Sequence, residues 1–300
     1  WHAIMVIEAC RSGKDVYCQK PETRTLREGP LMVEAARRYA RVVSGGSQRV
    51  LADYRKTVDP CWSGELGEIK WINVNVGPLS QPCNLPGEPV PADMDWEMWL
   101  GPAPWAPYNK ARCDGNFGTS GGSWRSYIDY SGGGMTDWGA HHFDIAQWGL
   151  GMDESGPVEI IPPDGKDYKV LTYKYANGVT MVRDNANGVL FAGTEGKVET
   201  NRGHLKTWPD ELKDVKLRAD EIHLYECNNH YVDWLDAIRK RTRPICDIET
   251  GCRSVTVCHL GNIAYQLQRP LKWDPDREVF VGDDEANRLL SRGYRGPWHL

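Results

Sequence analysis

The sequence predicts an α/β fold followed by an α+β fold: a short parallel sheet with helices, then a larger region with an open, mostly antiparallel sheet and helices. Three observations predict it. Helical and strand patterns alternate in short order over residues 1–60, turn-separated strand patterns occupy residues 169–200, and helical patterns fill most of the chain after residue 229. We therefore expect two domains, residues 1–60 and residues 61–300.

The first domain is predicted from a run of short elements. Apolar spacing predicts helices at 4–10, 26–40 and 50–58, and buried strands at 15–18 and 42–44. Gly13 ends the first helix, because glycine readily adopts the left-handed conformation that follows a helix. Helices that alternate with short strands are typical of parallel sheets.

The pattern changes after residue 60. Residues 70–76 alternate as a half-buried strand does, whereas residues 77–123 are rich in Pro, Gly, Asp and Trp and predict a long structured loop. Further strands are predicted at 169–175, 179–183, 189–192 and 197–200, with a hairpin turn at Asn177 and Gly178. Helices are predicted at 229–241, 250–267 and 283–291.

The composition excludes several classes of protein. The net charge of −5 comes from interspersed acidic and basic residues, so we predict no nucleic-acid partner. No apolar run approaches the ~18 residues that span a bilayer, and no leader pattern is present, so we predict no membrane partner. The nine cysteines lack a C-x-x-C motif, which favours free thiols in a reducing compartment. We expect a cytoplasmic protein; a periplasmic location would need an upstream signal.

Residues 130–151 carry the densest polar chemistry. Three glycines lead into a helical pattern, as where a loop meets a helix beside a ligand. At helical spacing Asp137, His141 and Asp144 share one face, which we expect to border a cleft, and apolar residues occupy the opposite face. Asp137 could orient the His141 ring and raise its basicity, as a general base requires. A helix-surface pair without function is the alternative.

Lys20 is the second candidate. It follows the predicted strand at 15–18, at the sheet edge where open α/β sheets bind ligands, and Pro21 would stiffen the loop. An ordinary surface lysine is the alternative. Trp124 and its neighbour Arg125 are candidates for contacts with a sugar, although the loop's aromatic residues can equally pin it to a core: Trp96, Trp99, Trp105 and Trp124.

Several kinds of site are not predicted. Adjacent His141 and His142 would point ~100° apart on a helix, so we expect no metal site. The 300 residues contain neither a G-x-G-x-x-G sequence nor a P-loop for a diphosphate. They also contain no G-x-S-x-G sequence and no cysteine–histidine motif that marks a nucleophile.

Motifs spread over essentially the whole chain carry a family resemblance. They are WHAIMVIEACRSGKDVYCQKP, DWEMWLGPAP, GGGMTDWGAHHFD, GTEGKV, CHLGNIAYQLQRPLKWDP and DDEANRLLSRGYRGPW. Together and in this order they resemble the Gfo/Idh/MocA family of nicotinamide-dependent sugar and cyclitol oxidoreductases. The resemblance implies NAD or NADP as cofactor.

The resemblance also implies roles for individual residues. The family's Glu-Lys-Pro loop corresponds to Gln19, Lys20 and Pro21, which implies a catalytic Lys20 and contacts of this loop with the cofactor. Gln19 in place of glutamate removes a charge near the cofactor. The family's D-x-x-x-H pattern corresponds to Asp137 and His141 as catalytic residues, and the acid three positions later, Asp144, implies a contact with substrate.

The family's first β-α-β units, with their glycine-rich loop and ribose-binding acid, would lie before Trp1. Residues 1–60 are therefore expected to be the end of a truncated Rossmann-type domain, and residues 61–300 a domain for substrate binding and oligomerisation. The expected partners are a small sugar or cyclitol and further copies of the chain, through the exposed face of the second sheet.

The expected reaction is hydride transfer between a nicotinamide cofactor and a hydroxyl or carbonyl of the sugar or cyclitol. Two alternatives stay open. One is a redox-neutral enzyme that uses NAD to cleave a glycoside. The other is a non-catalytic fragment that binds sugar or oligomerises, because the phosphate-binding loop is absent from these residues.

Overall fold

A computed structural model describes residues 1–113, 123–214 and 225–300. Two sheets organise them, a two-stranded sheet near the start of the chain and a nine-stranded sheet formed later. This arrangement confirms the predicted fold class. Residues 114–122, part of the predicted long loop, lie outside the described residues.

The small sheet pairs β1 (Val16–Tyr17) with β2 (Val43–Ser44) in parallel, as predicted. Helices α1 (His2–Arg11) and α2 (Glu28–Arg38) pack against each other beside it. Their apolar faces bury a separate core, because apolar side chains at helical spacing leave water together. Its members include Ala3, Val6, Ile7, Cys10, Met32, Ala36 and Val43.

The third helix links this region to the large sheet. α3 spans Ala52–Trp62, and its Tyr54 and Val58 are fully buried in the core beneath the large sheet. The predicted boundary between residues 60 and 61 therefore falls inside a helix.

The large sheet is mixed, with β3 and β6 parallel and every other pair antiparallel. Its spatial order is β11-β10-β4-β5-β6-β3-β7-β8-β9. Its strands are β3 Ile69–Val74, β4 Glu159–Ile161, β5 Leu171–Lys174, β6 Thr180–Arg183, β7 Val189–Gly193, β8 Lys197–Asn201, β9 His204–Trp208, β10 Leu271–Asp274 and β11 Val279–Phe280. The sequence pattern missed β4, β9, β10 and β11. β4, β10 and β11 span only two to four residues, which gives little alternation to detect.

The remaining helices are α4 Trp96–Leu100, α5 Lys110–Cys113, α6 Gly134–Asp137, α7 Gly139–Gly149, α8 His230–Lys240, α9 Ile248–Leu267 and α10 Asp284–Arg288. Asparagine and aspartate caps fix four of their starts, those of α4, α8, α9 and α10. The Asn229 side chain accepts hydrogen bonds from the first amides of α8, and the Asp247 side chain accepts one at the start of α9. These caps place α8 and α9 close to where the sequence predicts them.

Helix α7 is buried on every side. It packs against α3, α9 and the large sheet, and all eleven of its residues are buried. Gly149 permits the close approach to the sheet, because a Cβ there would lie 2.5 Å from the Phe191 ring. The expectation that one polar face of this helix borders a cleft is therefore wrong for most of its length.

All nine cysteines are free, and five of them are buried. Among the helices in the described ranges, none combines the length and apolar character needed to cross a bilayer.

Candidate active site

A cavity of about 680 Å³ lies where the loop after β1 meets the loop before α6. Its wall comes from distant parts of the chain: the start of α1, the loop at 19–28, the segment 99–103, residues 124–137 and the stretch 292–294. Lys20, Asp137, Trp124 and Arg125 all border it. The cavity therefore gathers most of the candidates that the sequence nominates, but His141 and Asp144 are not among its lining residues.

Lys20 and Asp137 form the centre of this site. The Lys20 ammonium donates to the Asp137 carboxylate at 2.8 Å and to the Asp137 backbone carbonyl at 2.7 Å. The two side chains are only 18% and 11% exposed, so the ion pair is shielded from water and its charge-assisted hydrogen bonds are strong. An ammonium has three N–H donors, and within the described ranges these two bonds leave one donor for a ligand.

A helix break makes this contact possible. α6 ends at Asp137 and α7 begins at Gly139, and the amides of His141 and His142 both donate to the carbonyl of Trp138. In a continuous helix the His141 amide would instead donate to the Asp137 carbonyl. Because the break frees that carbonyl, it can accept a hydrogen bond from Lys20.

The predicted pairing of Asp137 with His141 is wrong. Asp137 bonds to Lys20, and the Nδ1 atom of His141 is buried without a hydrogen-bond partner in the described structure. The one-turn spacing suggested contact, but it assumed an unbroken helix. Burial, and then the nearby Lys20 charge, lower the pKa of His141 to about 2, so its ring is neutral at physiological pH.

The predicted substrate contact of Asp144 is replaced by a buried ion pair. Its carboxylate is fully buried and accepts hydrogen bonds from Arg49 at 2.8 and 2.9 Å and from the Ser254 hydroxyl at 2.6 Å. Arg49 also binds Asp153. Asp144 does not border the cavity, and it helps to hold the β2–α3 loop against α7 and α9.

The rest of the Lys20 loop also borders the cavity. Gln19, Lys20 and Pro21 all border the cavity, and the Gln19 side-chain carbonyl accepts a hydrogen bond from the Lys20 amide at 3.0 Å. The loop packs against the segment that follows β2, where a Cβ at Gly46 would lie 2.6 Å from that same oxygen. This packing fixes where the Lys20 side chain leaves the backbone.

The tryptophans divide between two roles. Trp124 borders the cavity, and the Arg125 guanidinium lies 4.6 Å from the centre of its ring. Trp96 and Trp99 stack on each other at 4.8 Å in a small core of their own, although Trp99 also reaches the cavity wall. Trp105 is 66% exposed.

Several cavity residues were not foreseen from the sequence. Trp1, His2, Arg24, Glu28, Arg292 and Tyr294 all border it. Only tertiary packing brings the two ends of the chain together here, as in the ring contact of Trp1 with Trp298 at 4.5 Å. Local pattern carries no signal for such a contact. Across the described ranges no cluster of His, Cys, Asp and Glu could hold a metal ion.

The fold and the site define a class: α/β proteins with a small parallel sheet, a large open sheet, and a cavity where the lysine loop after the first parallel strand meets the segment before α6. The chain belongs to the Gfo/Idh/MocA oxidoreductases, because the model of the oxidoreductase family's C-terminal alpha/beta domain matches residues 68–300. A relative in Bacillus subtilis, the uncharacterized oxidoreductase YrbE, is 20% identical over 289 residues, which cover 90% of this chain and 72% of that protein.

Solved structures share the fold at low sequence identity. The aldose–aldose oxidoreductase from Caulobacter crescentus, complexed with glycerol, has a TM-score of 0.59 at 16% identity, covering 90% of this chain and 76% of its own. The WlbA dehydrogenase from Bordetella pertussis, in complex with NADH and UDP-GlcNAcA, has a TM-score of 0.58 at 17% identity, covering 92% and 76%. A putative NADPH-dependent oxidoreductase from Desulfitobacterium hafniense has a TM-score of 0.57 at 17% identity, covering 90% and 76%.

Proposed function

We propose that this protein transfers hydride between NAD or NADP and a hydroxyl or carbonyl of a sugar or cyclitol. The observation that carries the proposal is the Lys20 ammonium, which Asp137 anchors twice at the edge of a cavity. Membership of an oxidoreductase family supports it, as do similar folds whose solved structures contain NADH and a nucleotide sugar or glycerol.

The residues beside Lys20 fit the nicotinamide end of such a cofactor. The Gln19 amide supplies hydrogen-bond donors, the Lys20 side chain lies next to it, and the Trp1 indole supplies a flat apolar surface in the same cavity. Gln19, Lys20 and Pro21 would hold the cofactor, which accepts or gives the hydride when bound. The fit is to this end alone, because the 300 residues contain no glycine-rich phosphate loop.

Lys20 would bind the oxygen of the reacting carbon. Its two bonds to Asp137 fix the ammonium in place, and its third N–H is the donor available for a ligand among the described contacts. As the substrate changes between alcohol and carbonyl, negative charge on this oxygen grows and falls. A fixed cation at that point stabilises the charge without having to reorganise.

His141 would accept the hydroxyl proton. Its ring is neutral, which is the form that a base needs, and its Nδ1 lacks a partner in the described structure. A substrate hydroxyl that donates to this nitrogen would satisfy a buried polar atom. The Lys20 charge favours loss of the proton from a bound alcohol, but the same charge and burial make the ring a weak base. Because His141 does not line the cavity, this role requires the substrate hydroxyl to reach the buried ring.

Trp124 and Arg125 would contact the rest of the sugar. The Trp124 ring and the Arg125 guanidinium lie on the cavity wall and contact each other. An indole packs against the apolar C–H face of a sugar ring, whereas a guanidinium donates to its hydroxyls.

The decisive experiment is a titration of NAD⁺ and NADP⁺ into the 300-residue chain by isothermal calorimetry. We expect micromolar binding of at least one of them. Binding of neither would favour the alternative of a non-catalytic fragment that binds sugar or oligomerises, for which the missing phosphate loop is the argument.

Turnover assays then distinguish the two enzymatic hypotheses, a net oxidoreductase and a redox-neutral enzyme that cleaves glycosides. With a panel of sugars and cyclitols, a net oxidoreductase accumulates reduced nicotinamide, detected by its absorbance. A redox-neutral enzyme that cleaves glycosides releases the sugar from a glycoside without accumulating any.

A further inference from the structure

Two arginines, Arg24 and Arg292, lie at the wall between the active-site cavity and a second cavity of about 400 Å³. Each of them borders both cavities. Arg24 follows the Lys20 loop, and Arg292 comes from the end of the chain, so only the tertiary fold brings them together. Neither belongs to the group of residues assigned above to hydride and proton transfer.

Both guanidinium groups are held by one short stretch of backbone. Arg24 donates to the carbonyl of Ile128, and Arg292 donates to the carbonyl of Asp129. The two acceptors belong to consecutive residues, and the Arg292 charge acts on Arg24, so the two cations lie near each other. Backbone carbonyls are neutral, so these bonds orient the guanidinium groups without cancelling their charge.

The pair has no carboxylate partner. Within the described ranges, neither Arg24 nor Arg292 forms an ion pair, and the Nε atom of each is buried without a hydrogen bond. Arg49 shows the contrast, since it lies buried between the carboxylates of Asp144 and Asp153. Burial, and then the adjacent Arg292 charge, lower the pKa of Arg24 to about 10.

A buried carboxylate whose charge acts on Arg24, that of Glu28, already has hydrogen-bond partners. It accepts hydrogen bonds from the backbone amides of Arg24 and Thr25 and from the Tyr294 hydroxyl. The charges of Glu28 and of Asp129, which also borders the active-site cavity, offset part of the field of Arg24. Among the described contacts neither carboxylate forms an ion pair with it, and the Glu28 oxygens are directed to these three donors. Two adjacent, partly desolvated cations are unfavourable until an anion binds between or beside them.

We propose that Arg24 and Arg292 bind an anionic group of the substrate, a carboxylate or a phosphate, so that the sugar this protein acts on is acidic. The inference rests on the proposed function, which places the reacting oxygen at Lys20 in the same cavity. A guanidinium matches either anion with two parallel hydrogen bonds, and such charge-assisted pairs both bind and orient.

The test is calorimetric titration of the full chain with glucuronate, glucose 6-phosphate and glucose, in a buffer free of phosphate and carboxylates. We expect at least one charged sugar to bind tenfold or more tightly than glucose, and the tighter of the two identifies the anion. We expect Arg24→Met and Arg292→Met each to reduce that preference at least tenfold while leaving the affinity for glucose unchanged. Arg38→Met is the matched control, since Arg38 is an exposed arginine on α2.

The outcomes separate this inference from the proposed function. Equal affinity for charged and neutral sugars, or a preference that survives both methionine variants, overturns the anion site alone. Binding of none of the three sugars overturns both. If circular dichroism shows that a methionine variant is unfolded, Arg24→Lys and Arg292→Lys replace it. We expect lysine to keep part of the preference because it retains the charge and loses the paired geometry; a full preference in both lysine variants would overturn the bidentate site.

Discussion

The Lys20 ammonium bonds to both the carboxylate and the backbone carbonyl of Asp137, a residue 117 positions later in the chain. The carbonyl is available because the helix breaks between α6 and α7. The contact joins the loop of the small parallel sheet to the helices of the large sheet. It fixes a cation at the cavity, which is where the proposed reaction needs one.

Replacement of Lys20 tests its role in the reaction. We expect Lys20→Met to lower kcat by about a hundredfold or more, with a smaller effect on substrate binding, because its bond strengthens as the oxygen gains charge. Steady-state kinetics provide the measurement, and Lys14→Met, at an exposed lysine before β1, is the control. A kcat near that of the wild type would remove Lys20 from the mechanism.

The pKa of His141 reports on its coupling to Lys20. Burial is the main cause of the low pKa, and the Lys20 charge is the second. Lys20→Met should therefore raise the pKa of His141, which should still stay below the ordinary value of 6.5. Titration of the ring protons by NMR measures it, and an unchanged pKa would show that the two groups are not coupled.

We expect Asp144 to stabilise the fold through its buried ion pair with Arg49. Arg49→Met should destabilise the fold by about 3–5 kcal/mol, because it leaves the buried Asp144 carboxylate with much of its charge unpaired. Urea unfolding measures the change, and Arg38→Met, whose pair with Glu34 is exposed, should have little effect. A stable Arg49→Met protein with altered sugar affinity would instead return Asp144 to the substrate site.

Glu22 is expected to make the free energy of unfolding depend on pH. Burial raises the pKa of Glu22 from 4.5 to about 7, and its Oε1 has no partner in the described structure. Between these values the folded protein keeps a proton that the unfolded chain has released. The stability from this group is present below pH 4.5 and is lost as the pH rises through 7.

In the wild type, the free energy of unfolding should fall by up to about 3 kcal/mol, through this group, as the pH rises from 4.5 to above 7. We expect Glu22→Gln, which cannot ionise, to lack this fall. Urea unfolding at both ends of this range checks it, with the exposed Glu8→Gln as control. An identical pH profile for Glu22→Gln and the wild type would contradict the prediction.

The large sheet is expected to mediate self-association. Trp71 lies on a central strand and is 43% exposed, which leaves apolar surface on the face away from the helices. Light scattering at micromolar concentration should give a mass above that of the 33.9 kDa chain, and Trp71→Lys should lower it. Met5→Lys, at an exposed apolar residue on α1, is the control. A wild-type protein of monomeric mass would refute this surface as an interface.

The sequence by itself determined the order and type of most elements. Local spacing was enough for α1, β1, α2 and β2, since apolar periodicity reports which face of an element is buried. The order of the motifs along the chain was enough to recognise the family. The position of Lys20 after β1 also followed from the chain, because the end of a strand is a local feature.

Only the tertiary structure decided what the polar residues of the 130–151 stretch contact. Helical spacing grouped Asp137, His141 and Asp144, but the break at Trp138 and the burial of α7 gave them three different environments. Asp137 binds Lys20, whereas Asp144 binds Arg49, which precedes it by 95 positions. The reason is physical: a buried charge is stabilised by whichever opposite charge the fold brings near it, and periodicity describes a face without describing what packs against it.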